Sequence, residues 1–190
     1  LRVRSKEYDE IQESLAEHES ALIISEPSLY DPDYDDFLNA FKTALFFRDW
    51  IEEKDEEELF ESYSTRPGEI RIKLELADWL LYSAEELARM TRKSGVTKKL
   101  IRTRLRLKYG VKEELLPLLK LQGVGRVRAR KLYNNRIRDV KDVKNADITT
   151  LAHLIGRNTA FNVKSQVGQD IDKAKVPERK RKGQISLSDY

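Results

Sequence analysis

With 39% hydrophobic and 36% charged residues, a chain of 190 residues can fill one modest core or two small ones. The absence of cysteine excludes disulfides and thiolate metal sites and suits a reducing cytoplasm, while no apolar run reaches membrane-spanning length or forms a signal peptide. The net charge of +3 hides an asymmetry: residues 1–67 hold 7 Lys/Arg against 19 Asp/Glu, and residues 68–190 hold 29 against 14, which points to a polyanionic partner with a restricted landing place.

In chain order the apolar spacing reads as helices throughout, so the expected class is all-α. Residues 5–20 form a polar helix with Tyr8, Ile11 and Leu15 on one side, and Pro27 interrupts the chain beyond it. Asp31-Pro32 predicts a helix start, with a capping carboxylate and a proline in the first turn. That helix runs to Ile51 on Phe37, Leu38, Phe41, Leu45 and Phe47, with Trp50 near its end. Residues 52–62 predict a charged turn and a short helix anchored by Leu59 and Phe60. Consecutive acids on a helix point in different directions, so these carboxylates read as a solvated face and not as a metal cluster. Leu1 is not an ordinary first residue, and the chain is expected to be a piece of a longer protein.

Pro67 opens a long helix to about Arg92. Ile70, Leu74, Ala77, Leu81, Ala84 and Ala88 form one stripe. Leu76, Leu80 and Leu87 form a second, so the helix is expected to be central and packed on more than one side. Trp79 falls nearly opposite the first stripe, among Glu75, Tyr82 and Glu86. Two readings stand for it: a ring that stacks on a base, or a ring packed against a neighbouring helix near Ile72. Gly95 breaks this helix and another runs from Val96 to Tyr109. Its Lys99, Arg102 and Arg106 share one side. Between Arg89 and Arg138 there are 17 basic residues and only two acids, Glu113 and Glu114. That shortage favours a phosphate-facing role for the three cations over a merely solvated face.

The stretch Leu118–Tyr133, LLKLQGVGRVRARKLY, has the spacing of a helix-hairpin-helix. Leu118 and Leu121 pack a first helix, expected from Val111 and kinked or delayed by Pro117. Gly123 and Gly125 flank a tight turn in which missing β-carbons permit positive φ and close approach of another backbone. Ala129, Leu132 and Tyr133 close the core. The second helix begins near Arg126, and its free N–H groups and dipole suit a phosphate. Arg126, Arg128, Arg130 and Lys131 surround that corner. At 100° per residue Arg126 and Arg130 share a face and are the expected phosphate contacts. Arg128 points elsewhere and can equally pair with an acid inside the protein.

Beyond the Asn134-Asn135 turn, a short helix is expected over Asp139–Val143, then one capped by Asp147 through Leu154. Gly156-Arg157-Asn158 reads as a degenerate second hairpin, with Asn158 in the place of a second glycine, leading into a helix to about Ile171. His18 and His153 lack partners for ligation or catalysis. The tail from Val176 is expected to be flexible and basic. Its Gln184, Leu187 and Tyr190 resemble a sliding-clamp docking motif that lacks its second aromatic.

The runs RPGEIRIKLELADWLLYSAEELA (Arg66–Ala88) and YGVKEELLPLLKLQGVGRVRARKLYNNRI (Tyr109–Ile137) together resemble the C-terminal part of archaeal superfamily 2 DNA repair helicases of the Hjm type. The resemblance implies a helical ratchet domain over 1–110 (its first part missing, leaving apolar surface near Leu1 and Val3), a helix-hairpin-helix domain over 111–175 and a tail over 176–190. In that family the long helix lies along the translocating single strand, and a Trp, matched by Trp79, stacks on a base. An Arg seven residues earlier also contacts the strand. Here Ile72 stands there, with Arg71 beside it and roughly 80° from Trp79 around the helix. The family's arginine-rich terminal motif, matched by Arg126, Arg128 and Arg130, grips DNA leaving the motor and restrains unwinding. ATP and Mg2+ would belong to motor domains of the parent, since the chain has no Gly-x-x-x-x-Gly-Lys-Ser/Thr loop and no Asp-Glu-x-His motif. A winged helix would also lie upstream. The implied setting is replication-fork repair near the nucleoid, with single-stranded or forked DNA as partner and a sliding clamp or single-strand-binding protein as further candidates. A nuclease with its own carboxylate site and an adaptor acting through its tail are the competing readings.

Overall fold

A computed structural model describes residues 1–169. The tail residues Gln184, Leu187 and Tyr190 lie outside the described residues. The chain divides into two compact units, Leu1–Lys112 and one beginning at Glu113. All regular structure among the described residues is helical.

The first unit contains α1 (Tyr8–His18), α2 (Tyr34–Ile51), α3 (Glu56–Tyr63), α4 (Pro67–Met90) and α5 (Ser94–Tyr109). Helix α2 starts three residues after Asp31. Asp31 instead accepts from the Asp33 N–H at 3.0 Å and shapes the turn before the helix. Helix α3 is held by a reciprocal cap: Asp55 accepts from the N–H groups of Glu57 and Glu58, and Glu58 accepts from the Asp55 N–H.

Two apolar clusters organise this unit. Ile11, Leu15, Tyr34, Leu38, Phe41 and Leu45 join α1 to α2, with Val3 packed against them. Phe46, Leu59 and Ile70 join α2, α3 and α4, with Leu1, Trp50 and Leu74 at their edge. Leu1 and Val3 are themselves partly buried, with the exposed Ile72 in the groove beside Leu1. Exposed apolar surface lies on α4. Leu76, Leu80 and Leu87 are 57%, 53% and 63% exposed. The breadth of the stripe predicts packing on more than one side. Of the apolar residues of α4, only Ile70, Ala77 and Ala88 are buried.

Beside the second cluster, the Tyr63 hydroxyl donates to Asp49 Oδ2 at 2.7 Å. Burial, reinforced by this carboxylate, pushes the Tyr63 phenol far above its ordinary value. The unfolded chain therefore loses this proton first, near pH 10. The contribution is fully present below that pH and declines as the pH rises beyond it. Tyr63→Phe is expected to flatten the alkaline limb of a stability–pH curve measured by urea denaturation.

The second unit begins without an α-helix. Pro117 lacks an N–H and obstructs a continuous helix. The expected first helix of the hairpin is replaced by two 3-10 turns, Glu113–Leu115 and Leu118–Lys120, whose Leu115 and Leu118 are fully buried. Then come α6 (Arg126–Asn134), α7 (Val140–Asn145), α8 (Ile148–Ile155) and α9 (Arg157–Gln166). Helix α9 stops five residues short of the expected Ile171, because Gly168 adopts φ +76° and the Gln169 N–H turns back to Lys164 O. The turn after α6 is carried by Arg136, at φ +64°, beyond the Asn pair. Leu132, Val143, Leu151, Ala160 and Val163 form a fully buried centre. Lys164 is buried beside it and donates to Lys144 O at 2.8 Å and Gln169 Oε1 at 2.7 Å. Burial pulls its pKa down.

Candidate nucleic-acid interface

Each unit presents one candidate surface, and in both the sequence explains its placement.

In the second unit the surface forms where the chain enters α6. Gly123 has φ +86°, a conformation that strains any side chain. Space is not the constraint there, since a β-carbon would meet Thr159 Cγ2 at an ordinary 3.5 Å. Gly125 is extended and forms the N-cap of α6. A β-carbon at Gly125 would meet nothing within 4 Å. Among the described residues, nothing therefore crowds the Gly125 position itself.

A reciprocal amide pair anchors this turn. Gln166 on α9 accepts from the Gln122 N–H at 2.8 Å and donates to Gln122 O at 3.1 Å. Nothing local in the sequence signals that pair, whose members are 44 residues apart.

The four cations around the corner divide by partner. Arg130 pairs with Glu114 at 2.8 Å and lies over the Tyr133 ring. Arg128 donates to Gly123 O at 2.9 Å, which braces the turn and leaves the positive charge uncompensated at that contact. Arg130, expected as a phosphate contact, is thus paired with an acid, while Arg128, for which an internal acid was an open alternative, meets a carbonyl. The wheel orients side chains about α6 but does not locate Glu114, which the 3-10 turns bring beside it. Arg126 opens the first turn of α6 half-buried, and Lys131 is exposed.

Helices α8 and α9 repeat the arrangement in a different register from that expected. Gly156 is the N-cap of α9, and its carbonyl accepts from the Ala160 N–H at 2.9 Å. In the first hairpin the Gly125 carbonyl accepts from Ala129 at 2.9 Å, and both alanines are fully buried. Gly156 therefore corresponds to Gly125, Leu154 stands where the first glycine would be, and Asn158 lies inside α9. The local pattern concealed this because only one glycine remained to align.

In the first unit the candidate surface is the exposed side of α4. Trp79 is 62% exposed, so its ring is not core. Arg71 pairs with Glu75 at 2.9 Å and borders a groove with Trp50, Ile70, Leu74 and Lys108. Ile72 is exposed near the Trp79 side of the helix.

On α5, Lys99 and Arg102 are exposed. Arg106 is engaged within the unit, donating to Glu52 at 3.0 Å and to Val111 O at 3.3 Å. The acid that a local count could not find comes from the end of α2. Another α5 cation, Arg104, meets Asp78 through two hydrogen bonds, at 2.8 and 3.1 Å. That contact holds the Asp78 carboxyl below its usual range and raises Arg104 further. Sequence reasoning missed Arg104 because its partners lie on another helix.

Residues 1–110 match the family described as archaeal helicase, domain 4. The chain belongs to the archaeal helicase domain 4 family. Residues 115–167 match a second family, the SAM-like helix-hairpin-helix tandem. The archaeal helicase family expected from the Arg66–Ala88 and Tyr109–Ile137 runs is thereby shown. The chain is 36% identical over 185 residues to a protein of Caldivirga maquilingensis named ATP-dependent DNA helicase Hel308, covering 93% of this chain and 24% of that protein. A Hel308 of Pyrococcus abyssi is 38% identical over 162 residues, covering 82% of this chain and 22% of its own length. That of Methanocaldococcus jannaschii is 39% identical over 140 residues, covering 73% and 11%. The chain thus spans a quarter or less of these relatives.

Within this family member, no group of three or more His, Asp or Glu among the described residues is placed to hold a metal. Glu52 and Glu53 serve Arg106, Lys112 and the Lys112 N–H instead. No helix among the described residues is long and apolar enough to cross a membrane. The 190 residues contain no Gly-x-x-x-x-Gly-Lys-Ser/Thr loop.

Proposed function

We propose that this chain is the strand-gripping part of an ATP-dependent 3′ to 5′ DNA helicase that works at replication forks under repair. In this reading α4 carries the translocating single strand on Trp79, with Arg71, Lys99, Arg102 and Arg106 as flanking cations. The corner at Gly123 and Gly125, with Arg126, Arg128, Arg130 and Lys131, holds backbone phosphate and restrains unwinding. ATP hydrolysis, with its Mg2+, would be carried out by other parts of the polypeptide.

The observation that carries the reading is the open corner at Gly125. Among the described residues nothing lies within 4 Å of the place a β-carbon would take there, and the N–H groups of a nine-residue helix and the adjacent basic residues are suited to a phosphate. The exposed Trp79 ring supports the same reading for α4, because a ring with a free face stacks on any base and so tolerates any sequence.

The test is a titration of the 190-residue chain with a labelled single-stranded oligonucleotide at two salt concentrations. Binding that weakens steeply with salt is expected. Trp79→Ala is expected to weaken it by about fivefold or more, with an unchanged thermal melt. Failure of the wild-type chain to bind a single strand at low salt would remove the reading. A lowered melt for Trp79→Ala would make the ring a structural one.

A further inference from the structure

Tyr82 stands one turn beyond Trp79 on α4, at the i, i+3 spacing that brings side chains of one helix together. It remains 46% exposed. One side of its ring is occupied: the guanidinium carbon of Arg104 lies 4.8 Å from the ring centroid. Arg104 is itself held by acids. Asp78 takes it in a two-pronged hydrogen bond, at 2.8 and 3.1 Å. Glu85, whose side chain is 6% exposed, takes a third N–H at 3.5 Å. Asp78 thus sets a carboxylate directly against this guanidinium, and Glu85, shared with Arg89, adds a second, which reduces the positive charge Arg104 can offer a phosphate. Its planar group serves as a fixed backing for the phenol.

We propose that Tyr82 is a second base-stacking platform for single-stranded nucleic acid, held in place by Arg104. The inference rests on the reading that α4 carries the strand, and it names a contact on that helix. A ring fixed on one side and open on the other meets an aromatic ligand with little loss of rotamer freedom. The chemistry it fits is the face of a nucleobase, offered one turn along the helix from the base on Trp79. Neither hydroxyl donation nor net charge is required. Asp78, Glu85 and Arg104 are positioning residues: they touch the ring or each other, not the ligand.

The experiment measures fluorescence anisotropy of a labelled oligothymidylate of about 12 nucleotides, within the usual range of single-strand site sizes. An abasic strand of the same length is measured alongside. The proteins are the wild-type chain, Tyr82→Leu, Tyr82→Phe and Trp79→Ala, each with a thermal melt. Tyr82→Leu is expected to lose about five- to tenfold in affinity for oligothymidylate and nothing for the abasic strand. Tyr82→Phe is expected to match the wild type on both. Wild-type affinity in Tyr82→Leu overturns the proposal, as does an equal loss on the abasic strand. A loss in Tyr82→Phe as large as that in Tyr82→Leu also overturns it, because the hydroxyl and not the ring face would be the contact. If Trp79→Ala weakens binding and Tyr82→Leu does not, this proposal falls and the reading of α4 stands. If neither does, the reading of α4 falls as well.

Discussion

Gly110→Ala is expected to lower the melting temperature of the first unit by roughly 10 °C or more. Two effects act on the same atom. Gly110 is the C-cap of α5 in the left-handed region, at φ +61° and ψ +54°, with its N–H donating to Arg106 O at 2.8 Å. A β-carbon there costs about 1–2 kcal/mol. The new carbon would also stand 2.6 Å from Cε2 and 2.7 Å from Cζ2 of Trp50. The indole cannot move aside without loss, because its Nε1 donates to Leu107 O at 2.7 Å. Overpacking of this kind adds about 1–3 kcal/mol. Trp50 and Trp79 are the chain's two tryptophans, and both lie in the first unit, so fluorescence excited selectively at tryptophan follows that unit. Gly68→Ala is the control. Gly68 lies in the first turn of α4, where an added β-carbon would meet nothing within 4 Å, and its replacement is expected to hold or slightly raise the melting temperature. A Gly110→Ala protein that melts with the wild type would show that the indole and the left-handed turn do not constrain each other.

That pairing of Gly110 with Trp50 also marks the limit of what the amino-acid order reveals. Gly110 was legible as the end of α5, since a glycine after a periodic stripe is a common C-cap. The indole against it was not, because the two residues are 60 apart in the chain. The same division runs through both units. Helices α2, α4, α5 and α6 follow from 3.6-residue apolar spacing and from proline and glycine punctuation, which are local properties. Leu76, Leu80 and Leu87 show where that reasoning fails. Periodicity reveals an apolar line, but it does not say whether anything covers it. Pro117 shows a second failure: the proline implies a kink, yet the segment gives up α-helix altogether for two 3-10 turns with buried leucines. At the candidate sites, the hairpin corner was legible from spacing, while for Trp79 spacing left an exposed and a packed ring equally open. The acids that engage Arg106 and Arg130 were not. They reach those cations from segments whose placement depends on the tertiary fold.

The partner of Arg130 decides how the basic corner should respond to salt. Replacing Arg126, Arg128 and Lys131 together with Ala is expected to flatten the dependence of log affinity on log salt by about two units for a single strand. Each retained phosphate contact contributes about 0.7 to that slope. Arg128 counts among them because its observed partner is a carbonyl, which leaves the charge in place. Arg130 is different. Its 2.8 Å pairing with Glu114 sets a carboxylate against the guanidinium before any phosphate arrives. Such an exposed pair adds little to stability, yet it cancels a charge the strand would otherwise meet. Arg130→Ala alone is therefore expected to change the slope by less than about half a unit. Glu114→Gln is expected to act in the opposite direction, because it takes that carboxylate away from Arg130: affinity rises and the slope steepens by up to about half a unit. Fluorescence anisotropy with one labelled oligonucleotide at four or more salt concentrations measures all three. An unchanged slope in the triple variant would remove these cations as phosphate contacts. A weaker-binding Glu114→Gln would mean that the carboxylate supports the corner's geometry more than it masks its charge.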